Sequence, residues 1–316
     1  MWIKKLFLAA AILLVVGIIF RMINPTQAPV QESLIANYNG STSTISGLTY
    51  TGAQPPIPSR LPTATGALET ESPQVVIDRF STNFNLQPFE DLDDYFVGPQ
   101  HNLTIARDHR IYSLKFSDRR PPENIIDLTQ AVAVANTFVR DFFDTNITPS
   151  LLPNSTIFYA DAEEYDVVSP EEATLVTLMY GYTVADFPIV VGHDSLVTMS
   201  VQIDSNYQVA GIDYVPQRIS ASPSRTFDTL TVYQALENIN QGRGSISYSS
   251  AETIPYPELA TIVSGELNDS SIEYRFDAET NTIVPYYRFF GTVFNAQSES
   301  SYVTIITPAI VTDFSR

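Results

Sequence analysis

Apolar positions recur at helical spacing in three places. After Ser72-Pro73, Val76, Phe80 and Phe84 fall on one face, and Pro at the first helical position suits a helix start. Asp127-Leu128-Thr129-Gln130 opens a second helix as an acidic capping box. Its stripe is Leu128, Ala131, Val132, Ala135, Phe138, Val139 and Phe142, a close fit to a 3.6-residue period. Thr231 and Gln234 form a third capping box ahead of Val232, Ala235, Leu236 and Ile239. Gly242 is placed to end that helix in a left-handed conformation.

Between and after these helices the period drops to two. Tyr112, Leu114 and Phe116 alternate with Ser113 and Lys115. Val197, Met199, Val201 and Ile203 alternate with Thr198, Ser200 and Gln202, and Asp204-Ser205-Asn206 turns the chain into a returning strand over 207–215. Ile272, Tyr274 and Phe276 alternate in the same way, followed by strands over 283–294 and 302–310. One helix followed by hairpins, repeated, predicts an α+β fold of tandem helix-plus-antiparallel-sheet units. Period-2 strands also leave one sheet face free for water or a partner.

The first segment has a different pattern. Lys4 and Lys5 precede the apolar run of residues 6–20, LFLAAAILLVVGIIF. A basic start and an apolar run of this kind predict an N-terminal membrane helix over residues 1–23, with Arg21 snorkelling. The positive-inside rule then keeps the N-terminus cytoplasmic and sends the body outside the cell. A cleaved signal is the alternative, disfavoured by Pro29 after Thr26-Gln27-Ala28. Residues 24–72 hold six prolines and few aromatics and are expected to be a linker. Within it Pro55-Pro56-Ile57-Pro58 is a stiff spacer. Ser220–Arg225 separates two patterned regions, giving ectodomain units of 73–220 and 221–316.

Composition narrows the function. The 316 residues carry a net charge of −18, with no cysteine and three histidines. The acidity argues against nucleic acid and anionic lipid surfaces as partners. The missing cysteines exclude disulfides, thiolate metal sites and thiol catalysis. No Walker loop, HExxH or GxSxG occurs. Gly242-Arg243-Gly244-Ser245 follows a helix instead of opening one, so it is a turn and not a phosphate cradle. No cofactor or metal is expected.

The remaining polar features each have an ordinary reading. His101 and His109, and His193 in a turn, are expected at the surface. Two acidic runs, Glu90, Asp91, Asp93, Asp94 and Asp161, Glu163, Glu164, Asp166, resemble loose calcium loops but lack the full ligand pattern, and a solvated face explains them. Arg107, Arg110, Lys115, Arg119 and Arg120 concentrate positive charge in an acidic chain, and Lys115 is the only lysine after Lys5. They either pair with nearby acids or dock an acidic partner. Tyr286, Arg288 and Phe290 share one face of a strand and Tyr287 and Phe289 the other. One face is core; the other is either packed or a candidate partner surface.

Ala131–Phe143, Tyr180-Gly181-Tyr182-Thr183, Phe187-Pro188-Ile189, the hairpin 196–215 and the stretch Val284–Gly291 together resemble PepSY-like units of YycH/YycI-type extracytoplasmic regulatory proteins. The resemblance spans about residues 128–310. It implies a non-enzymatic bacterial protein that tunes a membrane sensor kinase, with the lipid bilayer met through residues 1–23. It brings no catalytic residues. The alternatives are a cell-surface scaffold or adhesion module, and an envelope hydrolase using carboxylates such as Asp161 and Glu164.

Overall fold

In the computed structural model, residues 47–90, 92–106, 110–117, 124–143, 148–160, 166–190, 195–250, 262–277 and 280–311 are described. In chain order, β1 (Leu48–Tyr50) and β2 (Arg60–Thr70) precede helix α1 (Pro73–Phe84). Then come β3 (Gln87–Phe89), β4 (Leu92–Val97), β5 (His101–Ala106), β6 (Ile111–Phe116) and α2 (Leu128–Phe143). The middle of the chain forms β7 (Ser150–Tyr159), β8 (Leu175–Gly181), β9 (Thr183–Val184), β10 (Phe187–Val190), β11 (Met199–Asp204) and β12 (Val209–Tyr214). Last are β13 (Gln217–Asp228), α3 (Val232–Asn240), β14 (Ser245–Ser249), β15 (Ile262–Asp277), β16 (Thr282–Asn295) and β17 (Ser300–Pro308).

Among the described residues these strands make two sheets. The first has eight strands in the order β3-β4-β5-β6-β12-β11-β8-β7, all antiparallel. The second has nine and follows β13-β2-β16-β15-β10-β9. β17 continues along β16 with β14 outside it, and β1 lies parallel on β15.

The helices form where the caps and stripes lead one to expect. Asn85 ends α1 in the left-handed region at φ 51°. Asp127 accepts from the Gln130 amide to start α2, and the Thr231–Gln234 capping box starts α3. α1 and α2 lie on the eight-stranded sheet. Phe80 meets Phe142 edge-on at 5.1 Å and stacks on Tyr112 at 6.1 Å. α3 buries Val232, Ala235, Leu236 and Ile239 beside the nine-stranded sheet, and Asn240 donates to the Leu48 carbonyl of β1.

The fold class differs from the expectation. Of the described residues 57% are in strands and 16% in three helices, so the protein is mostly β. The units are not tandem either. The chain enters the nine-stranded sheet with β1 and β2, leaves for β3–β8, returns for β9 and β10, leaves for β11 and β12, and returns for β13–β17. The physical reason is that a period-2 pattern identifies a strand but not the strand it pairs with. No helix among the described residues is long and apolar enough to cross a membrane. The expected membrane helix, residues 1–23, lies outside the described residues. Within the 24–72 stretch, β1 and β2 are integral strands, and β13 runs through residue 220.

One carboxylate ties the two sheets together. Glu71 directly follows β2, and its side chain is only 6% exposed. Its oxygens accept two bonds from Arg79 of α1, at 2.6 and 2.9 Å. They also accept the Tyr214 hydroxyl of β12 and a longer contact from Arg218 of β13 at 3.4 Å. Burial alone would raise the Glu71 pKa, but the bonds from Arg79 and Tyr214 and the two positive charges outweigh it and hold the carboxyl below its ordinary value.

Candidate functional site

β16 is the longest apolar run of the nine-stranded sheet and has two distinct faces. Tyr287 and Phe289 point to the α3 side, where both are buried. Tyr50 packs edge-on to Phe289 at 5.7 Å, and the Tyr287 hydroxyl donates to the Leu230 carbonyl at 2.7 Å. The opposite face carries Tyr286, Arg288, Phe290, Thr292 and Phe294. Tyr286 is buried, Arg288 and Phe290 are partly covered, and Phe294 is exposed.

Pairing with its neighbours extends this face. β17 sets Tyr302 opposite Thr292 and Ser300 opposite Phe294. β14 sets Tyr248 opposite Thr304. On the other flank, β15 sets Ser264, Glu266, Asp269 and Ser271 opposite Phe294, Thr292, Phe290 and Arg288. Phe294, Tyr302 and Tyr248 are 39%, 44% and 46% exposed, which makes an aromatic strip across three adjacent strands. The β15 residues beside it are exposed hydroxyls and carboxylates. Gly291 permits the close β15 approach at the bulge, because a Cβ there would lie 2.1 Å from the Glu266 carbonyl oxygen.

An ion cluster closes one end of this face. Glu273 is 1% exposed and accepts from Arg275 at 2.6 Å and Arg288 at 3.1 Å. The Arg288 guanidinium also sits 5.2 Å from the Phe290 ring. Two arginines on one buried carboxylate hold the Arg288 side chain in place, so its role here is architectural.

The basic run is only partly described. Arg110 is exposed at the turn between β5 and β6, and Lys115 is exposed on β6 opposite Asn102 and Gly211. Arg107, Arg119 and Arg120 lie outside the described residues. The β4–β5 register runs from Val97–Asn102 to Tyr95–Thr104, so Asp93 and Asp94 lie toward the same sheet end as Arg110. His101 departs from the surface expectation. It shares the inward face of β5 with Leu103 and Ile105 and is 7% exposed. It lies between Phe84 and Phe116, with Nε2 2.8 Å from the Val209 carbonyl. Burial pushes its pKa down, against a smaller upward pull from that carbonyl.

Other candidates stay dispersed. Glu90, Asp93, Asp94 and Asp166 are exposed, and Asp91, Asp161, Glu163, Glu164, His109 and His193 lie outside the described residues. No group of three His, Asp or Glu able to hold a metal occurs among the described residues. Gly242 has φ 78° and Arg243 bonds back to Asn238, so the Gly242–Gly244 segment is the turn that ends α3. A cavity of about 260 Å³ lies between the Gln54–Ser59 stretch and the start of α3, with Tyr287 among its lining residues.

Sequence reasoning singled out Tyr286, Arg288 and Phe290, of which Tyr286 is buried and Arg288 is held by Glu273; it did not single out Phe294, Tyr302, Tyr248 or Glu266. Alternation in 283–294 puts Phe294 on the same face as Phe290 but does not say which face is core. What it lacked was the pairing that brings Phe294, Tyr302 and Tyr248 together.

No family model matches the chain, and no curated protein matches it. Among solved structures it has a partial likeness to the crystal structure of YycH from Bacillus subtilis. The TM-score is 0.36 at 6% identity, over 77% of this chain and 52% of that one. The match thus spans about half the length of the YycH chain, and a likeness of this extent says nothing of activity.

Proposed function

We propose that this protein is a non-enzymatic binding protein that works outside the cytoplasm and regulates a membrane protein. The partner class is a sensor kinase, as the resemblance of residues 128–310 to YycH/YycI-type regulators implies. The observation that supports a binding role is the exposed end of one face of the nine-stranded sheet, whose other end is buried at Tyr286, Glu273 and Ile306. Phe290, Phe294, Tyr302 and Tyr248 stand there on a rigid sheet, with Arg288 fixed at the edge. Aromatic residues offer large contact area at low entropy cost, which is why they dominate recognition surfaces.

The test is made in the native host with the full-length chain. Wild type is compared with the double variant Phe294→Ser, Tyr302→Ser for kinase output and for co-purified membrane proteins. The expected result is that the variant accumulates normally but shifts output as far as deletion of the gene does. Wild-type output from the variant would overturn the reading. So would a deletion that leaves the output of every sensor kinase in the host unchanged.

A further inference from the structure

We infer that the exposed end of this face of the nine-stranded sheet takes a neutral polysaccharide strand, with its sugar rings stacked on Tyr302, Phe294 and Tyr248. The inference rests on reading this face as the binding face and names the chemistry of what it binds.

The geometry is that of a platform. Tyr302 lies opposite Thr292, diagonal to both Phe290 and Phe294 on the neighbouring strand. Tyr248 lies opposite Thr304, diagonal to Tyr302. Diagonal positions on adjacent strands are about 7–8 Å apart. The aromatics therefore form a line across β14, β17 and β16 and not a compact knot. All belong to hydrogen-bonded strands, so the line is preorganised and costs little ordering on binding.

The chemistry around the line selects among ligands. A pyranose ring has one face of C–H bonds and a rim of hydroxyls. Its apolar face stacks on an aromatic ring, and its rim needs donors and acceptors beside that ring. Here Ser264, Ser271, Glu266 and Asp269 stand exposed on β15, next to the aromatic line. Glu266 is already oriented by the Thr51 hydroxyl at 2.7 Å. No Lys or Arg occurs in 245–250, 262–271 or 289–304. The cation at the edge of this face, Arg288, is paired with the buried Glu273, so the exposed carboxylates dominate and the surface disfavours nucleic acids, teichoic-type polymers and other polyanions. A neutral ligand suffers no such repulsion, and a polyhydroxylated one can use both the rings and the carboxylates.

The experiment uses the full-length protein in detergent. Two soluble probes are titrated by calorimetry: a hexamer of N-acetylglucosamine and a hexamer of β-1,4-linked glucose. Polyglutamate serves as the polyanion control. Binding of at least one hexamer is expected, none of polyglutamate, and less than a twofold change in Kd between about 50 and 500 mM salt. Tyr302→Ser and Phe294→Ser should each weaken binding about five- to tenfold. Tyr302→Phe should retain most of it. Val167→Ser, an exposed apolar residue in another region, should change nothing. The substituted side chains are exposed, and a thermal melt equal to wild type confirms folding.

Three results overturn the inference: neither hexamer binds, both ring variants bind as wild type, or salt abolishes binding. If the hexamers fail while the double variant still loses kinase output, the glycan inference falls and the regulatory reading stands. If the hexamers bind while kinase output is unaffected, the regulatory reading falls and the glycan inference stands.

Discussion

Replacing Glu71 with Gln should loosen the joint between the two sheets. The change keeps the shape and removes the charge. In the native protein Arg79 makes two bonds to the carboxylate, Tyr214 donates a third and Arg218 adds a longer one. A Gln amide offers one acceptor oxygen, and its NH2 group faces donors. At least one Arg79 bond is lost, and the Tyr214 hydroxyl competes for the remaining oxygen. Breaking a buried ion pair from one side costs about 3–5 kcal/mol. Arg79 and Arg218 retain 14% and 23% side-chain exposure, so water recovers part of that cost. About 3 kcal/mol is expected, a large share of the roughly 5–15 kcal/mol that holds a typical domain folded. With an m-value of about 3 kcal/mol/M, the urea midpoint falls by about 1 M. The pH dependence follows from the lowered pKa of Glu71. Its stabilisation is fully present above the unfolded value of about 4.3 and is lost as pH falls through the lower folded value. Glu71→Gln should therefore flatten the acid limb of the stability profile as well as lower its plateau. A midpoint shift below about 0.3 M, or an unchanged acid limb, would refute the reasoning.

Two further outcomes test the packing. His101 has a folded pKa below its unfolded value, so the native state favours the neutral ring. Its contribution is complete above about pH 6.5 and declines as pH falls toward the folded value. Chemical denaturation of His101→Gln across pH 7 to 5 should show a shallower loss than wild type, and an equal slope would mean that another group controls it. Gly291→Ala would set a Cβ 2.1 Å from the Glu266 carbonyl oxygen and 2.6 Å from Leu267 Cα. The β15–β16 pair must then part, at about 1–3 kcal/mol by thermal unfolding, and a neutral result would show that the bulge absorbs the extra carbon freely.

The helices and the site were legible to different depths. Each helix start was readable because its signal is local: Pro73 stands at the first helical position without a side-chain cap from Ser72, and Asp127–Gln130 and Thr231–Gln234 contain their own caps. β2 was not. Its sequence RLPTATGALET includes proline, glycine and small polar residues, which read as linker. Its strand character comes from partners more than 100 residues away, since it pairs with β13 and with the start of β16. Glu71 illustrates the same limit. It is one acid among 35 acidic residues, and nothing near it in sequence marks it as the point where Arg79, Tyr214 and Arg218 converge.

The same non-local pairing accounts for the exposed end of the β16 face. Period two tells which side chains of β16 and β17 share a face, but it does not say whether another layer will cover them. On the eight-stranded sheet the answer is α1 and α2, which bury one face with Phe80 and Phe142. On the nine-stranded sheet α3 takes the side of Tyr287 and Phe289. The aromatics on the other side are then surplus to the core near Phe294, where exposure rises along β16 from the buried Tyr286. A strand that buries Tyr286 and leaves Phe294 in water on the same face changes from packing to display along its length. Stability alone does not require Phe294, Tyr302 and Tyr248 to be aromatic, since a hydroxyl or charged side chain would be better solvated at each position. Their concentration at the exposed end of β16, away from the buried Glu273–Arg288 pair, is the feature on which the proposed binding role rests.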